Sequence, residues 1–401
     1  MDPPLRRALL LALNSQRAMS RDAICRLGRS VELWAGGELP VTGTQAAALG
    51  VAPHNLAAAV ALIDRAPRRA ASLLAEAAAR GLTVLFSGDA EYPRALQDLE
   101  LPPPVLYCRG RLPDRPAIAI VGSRAADPYG LEATALFAAA LAGAGLTVVS
   151  GFARGIDAAA HRAATRDPSG RTVAVLGCGL DVDYPRGSAR LRRHVERQGA
   201  ILSEFPPGTP ALAPHFPIRN RIIAALGFAC LVVQAAPRSG SLITARYAVE
   251  LGRDLWVVPG RIFDRRSAGA NCLIRDGASP ALAPEQILES LPLEVKDTLR
   301  RVADAGAADS GGAARISAGS SGATGAANAT TIASGLAERL LAILETGDPT
   351  SAEALAQRSG ASIDRVLAAL LDLEITGRVA RVAGPRFVKR AAAWGAPIIR
   401  T

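Results

Sequence analysis

The chain has 401 residues, of which 49% are apolar and only 4% aromatic, and it carries a formal net charge of +10. That is room for two or three domains around a core of Ala, Leu, Val and Ile. Lys296 and Lys389 are the two lysines among 46 basic residues, so the charge is almost all arginine, whose planar forks suit phosphate groups. Cys25, Cys108, Cys178, Cys230 and Cys272 stand alone, with no CxxC and no Cys–His spacing. This argues against a zinc site or a disulfide framework and fits a reducing cytosol, so a cytoplasmic protein is expected. No signal peptide is read at the start. The uncharged stretch Ala133–Ala153 is long enough to span a membrane, but Gly143, Gly145, Gly151 and its β-branched end read as a helix followed by a strand.

Residues 1–80 read as a helical domain, with candidate helices at Arg21–Gly28, Thr44–Leu49 and Asn55–Arg65. Val41–Gly50 faintly resembles the turn of a helix-hairpin-helix. Leu82–Phe86 looks like a strand, and Pro102–Pro104 forces an extended approach to Val105–Cys108. From Ala117 short apolar strands alternate with helices. The strands are Ala117–Val121, Thr147–Ser150, Thr172–Leu176, Ala200–Leu202, Cys230–Val233 and Leu255–Val258. Between them fall helices at Gly130–Ala144, Ile156–Thr165, Ser188–Gln198, Asn220–Leu226 and Ser241–Leu251. This pattern predicts an α/β fold over residues 81–292, a Rossmann-like, doubly wound, mostly parallel sheet covered on both faces. Ligands of such folds bind at the carboxyl ends of the strands. Residues 303–334 are Ala, Gly, Ser and Thr with few large apolar side chains, and are expected to be a linker.

Residues 335–390 predict a winged helix. Its helices would be Leu336–Glu345, one opened by a Thr350/Glu353 capping box and stopped at Gly360, and Ile363–Thr376 capped by Ser362. A hairpin of Val379–Val382 and Arg386–Val388, turning at Gly384-Pro385, would be the wing.

Three strand-end features are candidate sites. Gly122, Ser123 and Arg124 follow the first strand of the alternation, where a glycine, a hydroxyl and a guanidinium suit an anion. Gly151 to Gly155 follow the second, with Asp157 opening its helix; Asp157 can equally complement the helix dipole. Asp157 and His161, four apart on one helix face, are expected to share a local hydrogen bond. The third feature is HFPIRNR, His215–Arg221. Phe216 can stack a base while Arg219 and Arg221 hold phosphates and Asn220 bonds a base edge. Alternatively, Phe216 plugs the core and Asn220 caps the helix. Ser239–Thr244 opens a helix and can also seat an anion.

Enzyme motifs are poorly represented. Gly177-Cys178-Gly179 is only part of a dinucleotide fingerprint. No Walker A lysine and no GxSxG elbow occur. No cofactor, metal or catalytic residue is expected.

The chain resembles the DprA/Smf family of DNA-processing proteins of bacterial natural transformation. The resemblance rests on DAEYP (Asp89–Pro93), PPVLYCRG (Pro103–Gly110), IVGSR (Ile120–Arg124), SGFARGIDAAAH (Ser150–His161), AVLGCGLDVDYP (Ala174–Pro185), SEFPPG (Ser203–Gly208), HFPIRNRIIA (His215–Ala224), SGSLITARYA (Ser239–Ala248) and VPG (Val258–Gly260), in the family's order. It implies a Rossmann-like core that binds single-stranded DNA without catalysis. It also implies a homodimer that places RecA on that DNA and displaces single-strand binding protein. By motif match, Arg124, Arg219, Asn220 and Arg221 would line the DNA pocket and Phe216 would stack. Gly122, Ser123 and Gly151 would allow close backbone approach. The dimer and RecA surfaces would fall near Ala270–Leu288. The core is also distantly similar to nucleotide-processing proteins with a PGGxGTxxE loop, the basis of the alternative reading as a nucleoside monophosphate hydrolase. Here Tyr247 stands where that loop needs its carboxylate. One feature qualifies the resemblance: the helix Ile363–Thr376 carries Asp364, Asp372 and Glu374 against Arg365, a poor match for a phosphate-lined groove, whereas the wing is basic.

Overall fold

A computed structural model of the chain describes residues 3–16, 19–33, 55, 65–301, 336, 339–344, 350–375, 378–382 and 386–389. The candidate helix Thr44–Leu49, most of Asn55–Arg65, the linker and the Gly384-Pro385 turn lie outside the described residues. Two compact units emerge, Met1–Ser310 and Gly311–Thr401.

The first unit begins with α1 (Pro3–Asn14), α2 (Arg21–Leu33) and α3 (Ala66–Ala79). Strand β1 (Thr83–Phe86), a short 3₁₀ turn (Arg94–Asp98) and β2 (Val105–Gly110) lead into the alternating region. There follow β3 (Ala117–Val121), α4 (Pro128–Gly143), β4 (Thr147–Ser150), α5 (Ile156–Ala164), β5 (Arg171–Val175), α6 (Ala189–Arg197) and β6 (Gly199–Ser203). Then come α7 (His215–Leu226), β7 (Ala229–Val232), α8 (Ser241–Glu250), β8 (Asp254–Val257), α9 (Ala268–Arg275), β9 (Ser279–Pro280) and α10 (Pro284–Glu289).

The strands form one nine-stranded sheet in the order β1-β2-β6-β5-β4-β3-β7-β8-β9. From β6 to β9 neighbours run parallel, while β1–β2 and β2–β6 are antiparallel. Side chains alternate across a strand. Ile118 and Ile120 of β3 therefore face the cluster of α4 and α5, with Phe137, Leu141 and Ile156. Ala119 and Val121 face that of α7 and α8, with Ile222, Ile223, Ala245 and Ala248. Burial on both faces is why these strands read as continuous apolar runs.

Helix α4 starts where its sequence dictates. The Asp127 side chain accepts a hydrogen bond from the Gly130 amide (2.8 Å), and Pro128 occupies the first helical turn. The stretch Ala133–Ala153 is this helix followed by β4. Among the described residues no helix is long and apolar enough to cross a membrane.

Two expectations are corrected here. The N-terminal helices share the sheet's own core: Leu10, Leu11, Ile24 and Leu27 are buried in one cluster with Phe86, Tyr107 and Ile201. Helix α7 begins at His215, five residues before the expected Asn220. Pro217 falls in its first turn, where the missing N–H has no helical partner to lose.

The second unit contains β10 (Thr350–Ser351), α11 (Ala352–Ser359), α12 (Ile363–Ile375), β11 (Val379–Val382) and β12 (Arg386–Lys389). Its sheet has the order β10-β12-β11. Leu340, Leu344, Leu355, Val366, Leu370, Val379 and Phe387 are buried together. The helix cap is Ser351, whose hydroxyl accepts from the Ala354 amide (3.3 Å). The expected cap, Thr350, instead pairs with Phe387 in the sheet. Gly360 ends α11 at φ +67°, a left-handed conformation that favours glycine. This is the expected winged helix, with one strand added to the wing.

Candidate nucleic-acid interface

After β3 the chain winds through β4, β5 and β6 on one side, then returns to lay β7 on the other side of β3. The carboxyl ends of β3 and β7 therefore flank a topological switch point, the place where doubly wound sheets bind ligands. A cleft of about 820 Å³ opens there. Ser123 and Arg124 after β3, Arg238 to Ser241 after β7, and Phe216, Arg219 and Asn220 of α7 line it.

The backbone of the β3 loop is fixed from both sides. The Ser123 amide donates to the Gln234 carbonyl (2.6 Å), and the Ser123 carbonyl accepts from the Ile156 amide (3.1 Å). Gly155 makes the second contact possible. It sits at φ +76°, and a Cβ there would lie 2.2 Å from the Ser123 oxygen. Arg124 points out of this fixed loop, exposed and without an ion pair among the described residues, its guanidinium carbon 4.9 Å from the centroid of the Phe216 ring. Tyr184 approaches the same ring at 5.1 Å between centroids. Phe216 is half-buried and belongs to none of the apolar clusters, so it is a wall of the cleft rather than a plug of the core.

Arg219 is nearly inaccessible. Its Nη1 donates to the carbonyls of Gly151 (2.6 Å) and Val175, and Nε donates to Asn220 Oδ1 (3.2 Å). It thus ties together the ends of β4 and β5 while presenting positive charge at the cleft floor. Burial pushes its pKa down to about 10, opposed by Asp157, so the group stays charged at neutral pH. Burial pushes the Asp157 carboxyl above the usual range, against the pull of Arg219, the Ala153 amide, the Ser150 hydroxyl and Arg124. Asn220 is no cap: its Nδ2 donates to the Gly240 carbonyl (3.1 Å), joining α7 to the start of α8.

Gly122 and Gly151 serve the protein's own packing. A Cβ on Gly151 would lie 2.7 Å from both Arg219 Nη2 and Asp157 Oδ2, and one on Gly122 would lie 2.6 Å from Ile156. Gly151 does not line the cleft.

Arg221 is not in the cleft either. Successive helical residues turn by about 100°, so residues two apart face nearly opposite ways. Arg219 reaches the cleft and Arg221 turns away, to Glu204 Oε2 at 2.6 Å. Arg21 Nε of α2 meets the same oxygen at 3.3 Å, and Arg21 Nη2 donates to Asn14 Oδ1 of α1 (2.6 Å). Glu204 is fully buried. Arg221 therefore anchors the N-terminal helices, its guanidinium turned away from the cleft.

The expected Asp157–His161 hydrogen bond does not form. Asp157 Oδ2 accepts from the Ala153 amide (3.2 Å), whereas His161 Nδ1 lies 2.7 Å from Thr172 Oγ1. That hydroxyl donates to the Val148 carbonyl (2.7 Å), so it must accept from Nδ1–H. Nε2 is then unprotonated and, among the described residues, has no partner. Burial pushes the His161 pKa down to about 3.

Among the lining side chains able to contact a nucleotide, the sequence missed Arg238 and Tyr184. Arg238 precedes the Ser239–Thr244 stretch already marked as an anion seat, and its charge was the signal that could have found it. Ser239 and Ser241 hydroxyls lie 2.7 Å apart at the head of α8. The cleft carries three arginines, Arg124, Arg219 and Arg238, against one carboxylate, Asp157. Among the described residues no group of His, Cys, Asp and Glu can hold a metal ion. Tyr247, in place of a carboxylate, packs against the core.

The family model described as DNA recombination-mediator protein A matches residues 83–292. Protein Smf of Synechocystis is 37% identical over 319 residues, 76% of this chain and 80% of its own length. The chain belongs to the DprA/Smf family. DNA processing protein DprA of Streptococcus pneumoniae is 42% identical over 199 residues, 49% of this chain and 70% of that protein. The X-ray structure of the S. pneumoniae DprA superposes with a TM-score of 0.62 and 32% identity, covering 72% of this chain and 98% of that one. The DprA winged-helix model matches residues 324–385. The Rossmann-like core and the winged helix are thus both shared with DprA.

Proposed function

We propose that this DprA-family chain binds single-stranded DNA in the switch-point cleft, without catalysis. The observation that carries this is the half-buried Phe216 ring, held between Arg124 and Tyr184 above the charged floor of Arg219. An aromatic face beside guanidinium groups suits an unstacked base and its phosphates. A duplex keeps its base faces covered and cannot use such a wall. The one carboxylate of the cleft is buried among hydrogen bonds and a guanidinium, an arrangement suited to holding the floor rather than to acid–base work.

In the cell, the reading is of a cytoplasmic homodimer that places RecA on the bound strand and displaces single-strand binding protein. Support for this part comes from the family resemblance. The fitting experiment is titration of labelled oligo-dT and of a matched duplex, with Arg124→Ala beside the parent chain. Tighter binding of the single strand, weakened by Arg124→Ala with a flatter salt dependence, is expected. Removing one cationic partner of a phosphate should reduce the salt slope by roughly 0.7. Equal binding of the single strand by both proteins would refute the site. RecA filament formation on strands coated with single-strand binding protein tests the mediator role.

A further inference from the structure

A second cleft, of about 750 Å³, lies on the α5 side of the sheet. Arg154, Arg162, Arg166, Arg186, Arg190 and His194 line it, and among the described residues no Asp or Glu does. The five arginines are exposed, and among the described residues none of them forms an ion pair. Some exposed arginines elsewhere on this unit do find carboxylates, as Arg246 with Glu250 and Arg300 with Asp297. Five unpaired guanidinium groups around one concavity repel one another, and an anion in the concavity relieves that repulsion.

The two clefts adjoin. Ala153, in the turn after β4, lines both, and its neighbour Arg154 lines the second. From there Arg162 and Arg166 continue along α5 and just past its end, while Arg186 on the approach to α6 and Arg190 in its first turn line the same cleft. The second cleft offers no aromatic face for a base. Its one aromatic ring besides His194 is Phe152, which is buried against the His161 ring at 5.6 Å. Its chemistry is that of a phosphate track without a base platform.

We infer that this arginine-lined cleft holds the sugar–phosphate backbone of the same single strand as it leaves the switch-point cleft, lengthening the site without adding base readout. The inference rests on the single-strand reading of the first cleft. The test uses the full chain, a short oligo-dT of about 6 nucleotides and a long one of about 30, lengths that bracket the footprint of one small binding fold. The triple variant Arg154→Ala/Arg186→Ala/Arg190→Ala is compared with the parent and with Arg124→Ala. Expected is unchanged binding of the short strand by the triple variant, with at least tenfold weaker binding of the long strand at moderate salt. The long-strand salt slope should fall by about 2, near 0.7 for each arginine. The corresponding triple lysine variant should restore the slope, which separates an effect of charge from one of structure. Unchanged affinity and slope for the long strand would overturn the proposal while leaving the first cleft intact. A triple variant that loses duplex binding more than long-strand binding would overturn it too, in favour of a duplex track. If Arg124→Ala leaves short-strand binding unchanged, the first cleft itself is misread.

Discussion

Replacing Arg221 by methionine should destabilise the first unit while leaving DNA affinity intact. In the folded protein Arg221 and Arg21 converge on one oxygen of Glu204, which is fully buried. Methionine fills similar space and removes the shorter of the two contacts, at 2.6 Å, leaving the carboxylate with Arg21 at 3.3 Å. Breaking a buried pair by deleting one partner costs about 3–5 kcal/mol, because the remaining charge stays desolvated. At roughly 2–4 °C per kcal/mol for a large unit, Tm should fall by about 6–20 °C. Thermal unfolding by circular dichroism measures this, with oligo-dT titration at a temperature where both proteins are folded. The triple exchange Arg21→Met/Glu204→Leu/Arg221→Met should recover much of the loss, since apolar residues of similar volume often replace a buried ion group at no cost. A variant of unchanged Tm but much weaker strand binding would refute the assignment and return Arg221 to the cleft.

Other consequences are open to measurement. Phe216→Ala should cost about 1–3 kcal/mol of single-strand affinity if the ring stacks a base; a fall in Tm with affinity intact would make it a structural wall only. Gly151→Ala should cost about 1–3 kcal/mol of stability, because the new methyl meets Arg219 and Asp157 at 2.7 Å, and chemical denaturation would reveal it. His161 should make the core acid-sensitive. The unfolded ring has a pKa of about 6.5 and the folded one about 3, so the unfolded chain binds more protons between those values. The stability this confers is complete above pH of about 6.5 and declines as pH falls toward 3, by about 1.4 kcal/mol per unit. Asp157, raised by burial, acts in the opposite sense, since its protonation relieves a desolvation cost. His161→Gln should therefore flatten the acid limb of a urea-midpoint profile, and parallel profiles would discount the buried ring.

The alternating region was legible because its strands are buried on both faces and its helices are punctuated by glycine and proline. Asp127-Pro128 and Gly360 each mark a boundary by local chemistry alone. The antiparallel joining of β2 to β6 was not legible, since it brings Arg109 opposite Ile201 across more than ninety residues with no turn between them. The strand-end loops pointed to the cleft, but the roles within HFPIRNR depended on where α7 begins. With the helix starting at Asn220, both arginines sit near its free end and can face one ligand. With it starting at His215, they are locked on opposite sides. Pro217 disfavours a helical Phe216 before it, and the packing of α7 on the sheet overrides that preference. Glu204 gave no signal of its own, because its two partners come from positions 17 and 183 residues away.

The opposed faces of α7 bear on how relatives can be recombined. Exchanging His215–Leu226 between two members of the family looks like a graft of DNA-contacting residues alone. Arg221 travels with the graft, and its counterion is Glu204, on the far side of the preceding loop, shared with Arg21 in α2. A donor helix with a different residue at this position would leave the recipient's carboxylate with Arg21 alone, and the resulting loss of stability would be confounded with any change in specificity. The unit that can be transplanted is the helix together with the acidic residue of SEFPPG and the arginine of the second helix.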